Sequence, residues 1–225
     1  MTVKELLRPL PGVKHLSLLR QQFRFAGSAQ YWERNYLGGG TSGHGSYGKL
    51  AELKAEFLNA FVRKHDIKSI TEFGCGDGHQ LSLAEYPPYI GLDVSPAAIC
   101  LCKQRFLNDR TKSFFLYDGN CFVDSAGLFA AELTLSLDVV YHLVEDSVFE
   151  NYMTHLFAAG QLYVVVYATN KEIGGPAPHV RHRQFTSWVE ANCAGWQLAQ
   201  VAYGPNFGVG RADFFVYERC GIGKN

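Results

Sequence analysis

SITEFGCGDG, residues 69–78, sets an apolar run, an acid and three glycines side by side. A buried strand that runs straight into a turn with almost no side chains has this composition. KSITEF (68–73) reads as the strand, with Glu72 near its carboxyl end and the turn starting at Gly74. A bare turn in that place lets the backbone approach a ligand closely and offers amides near a helix start.

Working outward, strands and helices alternate. LAELKAEFLNAFVRKH (50–65) has apolar residues on a helical period. HQLSLAEY (79–86) is expected to be a helix and YIGLDV (89–94) a strand. SPAAICLCKQRF (95–106) is expected to be a helix with Ser95 as its cap and Pro96 at the first helical position. Strands are expected over 112–118 and 132–141, and a helix over 146–159. QLYVVVYAT (161–169) is apolar throughout, as a central strand covered on both faces should be. A short helix over 185–193 precedes two strands over 196–204 and 212–220, whose short link predicts antiparallel pairing. Such alternation predicts a doubly wound α/β sheet, mostly parallel, with ligands at the carboxyl ends of the strands.

The 225 residues suit one domain, expected over 49–225, behind an N-terminal segment 1–48 made of a helix over 13–25 and a glycine- and aromatic-rich lid. Residues 1–34 are basic, but the formal net charge is zero. No electrostatic case for nucleic acid or an anionic membrane follows, and neither is expected as a partner. No apolar run nears the ~18 residues of a membrane span. The six cysteines form no CxxC pair, so no metal is expected, and free thiols in the cytoplasm are.

Two ligand classes fit the turn. A dinucleotide needs G-x-G-x-x-G/A, and from Gly74 the third position is His79, too large for close helix packing. Asp93, 19 residues on, still sits where a ribose acid would. The other class is an adenosine-containing cofactor. Here four stretches, in order, resemble the motifs of class I S-adenosylmethionine-dependent methyltransferases: SITEFGCGDG, YIGLDVS, FFLYDG and LSLDVVYHLVED. The resemblance covers residues 47–170 and implies a Rossmann-like seven-stranded sheet with an antiparallel last strand. It implies that Gly74 and Gly76 meet the methionine tail, with Glu72 fixing either that turn or the tail, that Asp93 with Val94 takes the ribose, and that Asp118 with Gly119 takes the adenine. Asp138 and Val139 would pass the methionine part, and His142 would face the acceptor as base.

These residue types suit S-adenosylmethionine: carboxylates accept the ribose hydroxyls and the adenine amine, and bare amides take the tail carboxylate. Two further clusters are expected at the acceptor. One is PHVRHRQF (178–185), where His179, Arg181 and Arg183 could clamp an anion. The other is the lid, with Tyr31 over the cofactor and Tyr36 on the acceptor. The sequence thus predicts a methyltransferase acting on a small polar molecule, at a hydroxyl of a sugar or secondary metabolite. A non-catalytic module that binds S-adenosylmethionine and an NAD(P)-dependent oxidoreductase stand as the alternatives.

Overall fold

The computed structural model describes residues 25–175, 177–202 and 212–221. The expected helix over 13–25 lies outside them except for its last residue. The elements run α1 Ser28–Leu37, α2 Gly48–Lys64, β1 Ile70–Phe73, β2 Tyr89–Asp93, α3 Pro96–Arg105, β3 Lys112–Leu116, β4 Ala131–Leu137, α4 Asp146–Ala159 and β5 Gly160–Ala168. A two-residue ribbon, β6 Ile173–Gly174 with β7 Arg181–His182, leads to α5 Phe185–Asn192, β8 Trp196–Ala202 and β9 Asp213–Arg219.

The sheet order is β3-β2-β1-β4-β5-β9-β8. The first five strands pair parallel, and β9 lies antiparallel to both β5 and β8. Strand order reverses beside β1, so β1 and β4 diverge at the place where such sheets bind ligands. The period of two along β5 fills both faces: Val164 and Val166 pack with α4 and α5, while Val165 and Tyr167 pack with α2. On α2 the buried residues are Ala51, Lys54, Ala55, Leu58, Asn59, Phe61 and Val62; Leu58, Phe61 and Val62 belong to the apolar stripe of the sequence, while Leu50, Leu53 and Phe57 are only half-buried at its edge. Helix α3 starts as expected, with Ser95 Oγ accepting the Ala98 amide at 3.0 Å.

One expected element is corrected. Residues 79–86 make only a single tight turn, Leu81–Leu83. The chain there is captured from outside: Asn59 on α2 donates to Leu83 O and accepts from Glu85 N at 2.9 Å. Pro87 and Pro88 then forbid continuation. The lid stretch is also more regular than its glycines suggest, because its first ten residues form α1.

Candidate active site

The glycine turn is bare because its neighbours occupy the space. Gly74 (φ +82°) and Gly76 (φ +57°) lie in the left-handed region. A Cβ on Gly74 would stand 2.4 Å from Val139 Cγ2, and one on Gly76 would stand 2.3 Å from Ser42 Oγ. The amides of Gly74 and Cys75 both donate to Leu92 O, which fixes the turn to β2.

Acids stand at the strand ends around it. Asp93, at the end of β2, accepts from Gly76 N on one oxygen and Ser95 N on the other, each at 2.9 Å. Each oxygen therefore keeps accepting capacity. Burial pushes this carboxyl up to about 6 in spite of the two amides. Glu72 is buried on β1 and accepts from Tyr89 Oη at 2.7 Å; burial pushes it up to about 7. Asp118, after β3, accepts from Asn120 N and is exposed. Asp138, after β4, has φ +61° and takes Lys54 Nζ at 2.6 Å and Tyr141 Oη at 2.7 Å. Lys54 is fully buried on α2.

These groups surround a cavity of about 510 Å³, within the usual range for small-ligand sites. Of the residues singled out in the sequence, Tyr36, Glu72, Gly74, Gly76, Asp93, Val94, Asp118, Gly119, Asp138, Val139 and His142 all line it. Tyr31, His179, Arg181 and Arg183 do not. Tyr31 stacks on the His179 ring at 4.0 Å. Arg183 is buried, with its guanidinium 2.6 Å from Asp146 and 2.8 Å from Val144 O. Arg181 reaches the same carboxylate and carbonyl at 3.0 and 3.2 Å. The two arginines therefore fasten the β4–α4 junction and hold Asp146 below the usual carboxylate range. The anion clamp expected of them is engaged within the protein.

His142 ends the turn Val140–His142. Its Nδ1 lies 3.0 Å from His179 O. A carbonyl only accepts, so Nδ1 carries the proton and the neutral ring leaves Nε2 free to accept one. Burial pushes its pKa down to about 4 although the His179 carbonyl opposes this, and Trp32 meets the ring edge to face at 4.9 Å.

Several wall and support residues escaped the sequence reading. Asp77 ties the lid to the turn: its carboxylate accepts from Ser42 N, Tyr47 Oη and His79 N, and its own amide donates to Ser42 Oγ. Burial alone would raise its pKa, but these donors hold it below the usual value. Helix α1 is docked by Glu33, which accepts from Ser95 Oγ and Ala97 N, and by Glu145, which accepts from Ser28 N at 2.9 Å. Gln80 and Glu145 also line the cavity, as does Trp32 from the expected aromatic lid. Glu33 and Glu145 find their partners 62 and 117 residues away, and no local pattern carries that pairing. Asp77 did have a signal, as an acid set among the glycines.

No protein-family model matches the chain. Over 112 residues it is 30% identical to the small RNA 2'-O-methyltransferase of Arabidopsis thaliana, 45% of this chain but 12% of that protein. Over 81 residues it is 31% identical to the mRNA cap guanine-N(7) methyltransferase of Eremothecium gossypii, covering 34% and 18%. The chain thus spans less than a fifth of either curated relative. Among solved structures, the N-methyltransferase NodS from Bradyrhizobium japonicum, in complex with S-adenosyl-L-homocysteine, superposes with a TM-score of 0.65 at 14% identity, over 86% of this chain and 99% of its own. The methyltransferase domain of bacterial CtHen1 gives 0.62 at 19%, covering 75% and 97%. Magnesium protoporphyrin IX methyltransferase from Synechocystis gives 0.58 at 14%, covering 89% and 98%. The fold is that of the class I methyltransferases that the strand-end motifs resemble.

Proposed function

We propose that this chain is an S-adenosylmethionine-dependent methyltransferase that methylates a hydroxyl of a small polar acceptor, of sugar or secondary-metabolite type. The carrying observation is convergence. Acids from the ends of β1, β2, β3 and β4 and the bare turn at Gly74 and Gly76 line one cavity, with His142 on the same wall.

The residues present suit the cofactor. Asp93 keeps one accepting position per oxygen for a ribose diol. Asp118 and Gly119 meet the adenine edge. Gly74 and Gly76 admit the tail beside Glu72, and Asp138 and Val139 flank the methionine part. When bound, S-adenosylmethionine supplies a methyl group on a sulfonium, which needs no further activation as an electrophile. His142 receives the hydroxyl proton at Nε2, being neutral at physiological pH. Residues 28–48 act as the lid: Trp32 and Tyr36 hold the acceptor against the reacting end, and such positioning supplies much of the rate. The Tyr31–His179 stack buttresses His142 from outside the cavity.

A nucleic-acid acceptor is the second reading, favoured by the names of the two curated relatives. The wall speaks against it: Glu72, Asp93, Asp118, Asp138 and Glu145 line the cavity, and no lysine or arginine does among the described residues. The cavity therefore offers a phosphate no cationic lysine or arginine side chain among the described residues.

Calorimetry with S-adenosylmethionine, S-adenosylhomocysteine and NAD tests the cofactor. The first two should bind, and Asp93→Ala should abolish both. Binding of NAD alone would overturn the reading. Labelled-methyl transfer into a metabolite extract and into RNA oligonucleotides then separates the acceptors. Cofactor binding without transfer to either would leave a non-catalytic module.

A further inference from the structure

We propose that Gln80 holds the methionyl tail of the cofactor, its side-chain carbonyl accepting the α-ammonium. This deepens the reading of the cavity as an S-adenosylmethionine site and rests on it.

Gln80 follows Gly78 by two residues, lines the cavity and is only 8% exposed. Its Nε2 donates to Ala51 O on α2 at 3.0 Å. A backbone carbonyl only accepts, so the amide is not free to flip: its NH₂ belongs to α2, and the other atom is the acceptor Oε1. That Oε1 is buried and has no partner among the described residues. Buried acceptors without donors are rare in folded proteins and call for an explanation. Among the described residues the other buried side-chain atoms in this condition are Thr71 Oγ1 and Tyr217 Oη, and neither residue lines the cavity. The orphan on this wall is therefore singled out by place as well as by chemistry.

Its surroundings choose the kind of donor. Glu72 lines the same wall, and one of its oxygens takes Tyr89 Oη. Lys54, one helical turn beyond Ala51, is engaged at 2.6 Å with Asp138. An orphaned amide oxygen in a cavity that a buried carboxylate also lines suits a cationic N–H donor; a carboxylate brought to that oxygen would face acceptor against acceptor. Of the two charged groups on an amino acid tail, only the ammonium is a donor. The tail carboxylate is left to the amides of the glycine turn.

The test is a cycle between side chain and ligand. S-adenosylhomocysteine and its des-amino analogue are titrated into the full chain, wild type and Gln80→Met. Wild type should prefer the amino ligand by about tenfold or more, and Gln80→Met should bind the two within about threefold of each other. Affinity for the des-amino analogue should be the same in both proteins. Asp118→Ala, at the adenine end, should weaken both ligands alike and keep the preference. Full preference in Gln80→Met overturns the proposal. Equal binding of both ligands by the wild type does so too, without any variant. Should Gln80→Met not fold, Gln80→Asn withdraws the carbonyl by one methylene and reads the same cycle. Failure of S-adenosylhomocysteine and des-amino analogue alike to bind the wild type would instead sink the cofactor reading beneath it.

Discussion

Two stretches of this chain are rich in glycine, 38–48 and 74–78, and they are bare for different reasons. In the second, the space a Cβ would need is filled by another part of the protein: Val139 at Gly74, Ser42 at Gly76, and Phe106 and Cys102 at Gly78. In the first the reasons are mixed: a Cβ on Gly40 would stand 2.3 Å from Asn35 Oδ1 and one on Gly45 2.7 Å from Asp138 Oδ2, whereas Gly39, Gly43 and Gly48 have positive φ with nothing within 4 Å. Those last three glycines shape the path of the lid rather than making room. The two stretches then meet, because Ser42 lies over Gly76 and Asp77 binds Ser42 and Tyr47. Counting glycines treats the stretches alike, and only the neighbours tell them apart.

The largest expected effect follows from that contact. Gly76→Ala combines a left-handed backbone with a Cβ 2.3 Å from Ser42 Oγ. The two costs sum to about 3–4 kcal/mol. Chemical denaturation should report that loss, and binding of S-adenosylhomocysteine should vanish as the turn moves off Asp93. Near-native affinity would show that the turn need not be bare for the ligand.

Next is the acid just ahead of the turn. Glu72 titrates at about 7 in the fold, against 4.5 when unperturbed, because burial penalises its charge. Between those values the folded state binds more protons than the unfolded one, so stability falls as pH rises through the window. Glu72→Gln keeps an acceptor for Tyr89 and removes the charge. At pH 8 the ligand-free variant should be more stable by up to roughly 3 kcal/mol, and at pH 4 nearly unchanged. Its affinity for S-adenosylhomocysteine should fall. Melting curves at the two pH values check the sign; equal gains at both would mean that burial of charge is not the cause.

Asp77 is where the comparison can be cut. Asp77→Ala strands Tyr47 Oη and two amides, at a cost of about 2 kcal/mol. Hydrogen exchange should quicken across 41–47 while affinity for S-adenosylhomocysteine drops less than about threefold, because the groups lost hold the lid and not the cofactor. Unchanged exchange would remove Asp77 as the tether.

Much of this was legible in advance, and the exceptions share a cause. Strands β1 to β5 could be read because their apolar runs end at acids and turns in a fixed order, and the strand-end acids then fall on one cavity wall by topology alone. Residues 79–86 have a helical pattern yet form no α-helix, because Asn59, 20 or more residues upstream, takes the backbone groups that a helix would use. Arg181 and Arg183 looked free to clamp an anion because nothing local announces that Asp146 receives both. Gln80 carries no signal at all in sequence; its interest is that Ala51 occupies one end of its amide and nothing described occupies the other. Period and turn chemistry are local, whereas the destination of a long polar side chain is not.

The smallest effect tests the other half of the comparison. Gly39 follows α1 with φ +78°, and its amide closes the helix on Tyr36 O at 3.0 Å. Since nothing lies within 4 Å of the added carbon, Gly39→Ala meets only the backbone penalty, about 1 kcal/mol. Affinity for S-adenosylhomocysteine should not change. If this alanine cost as much affinity as the one at position 76, the lid glycines would be making room for a ligand too, and a bare backbone would mean the same thing in both places.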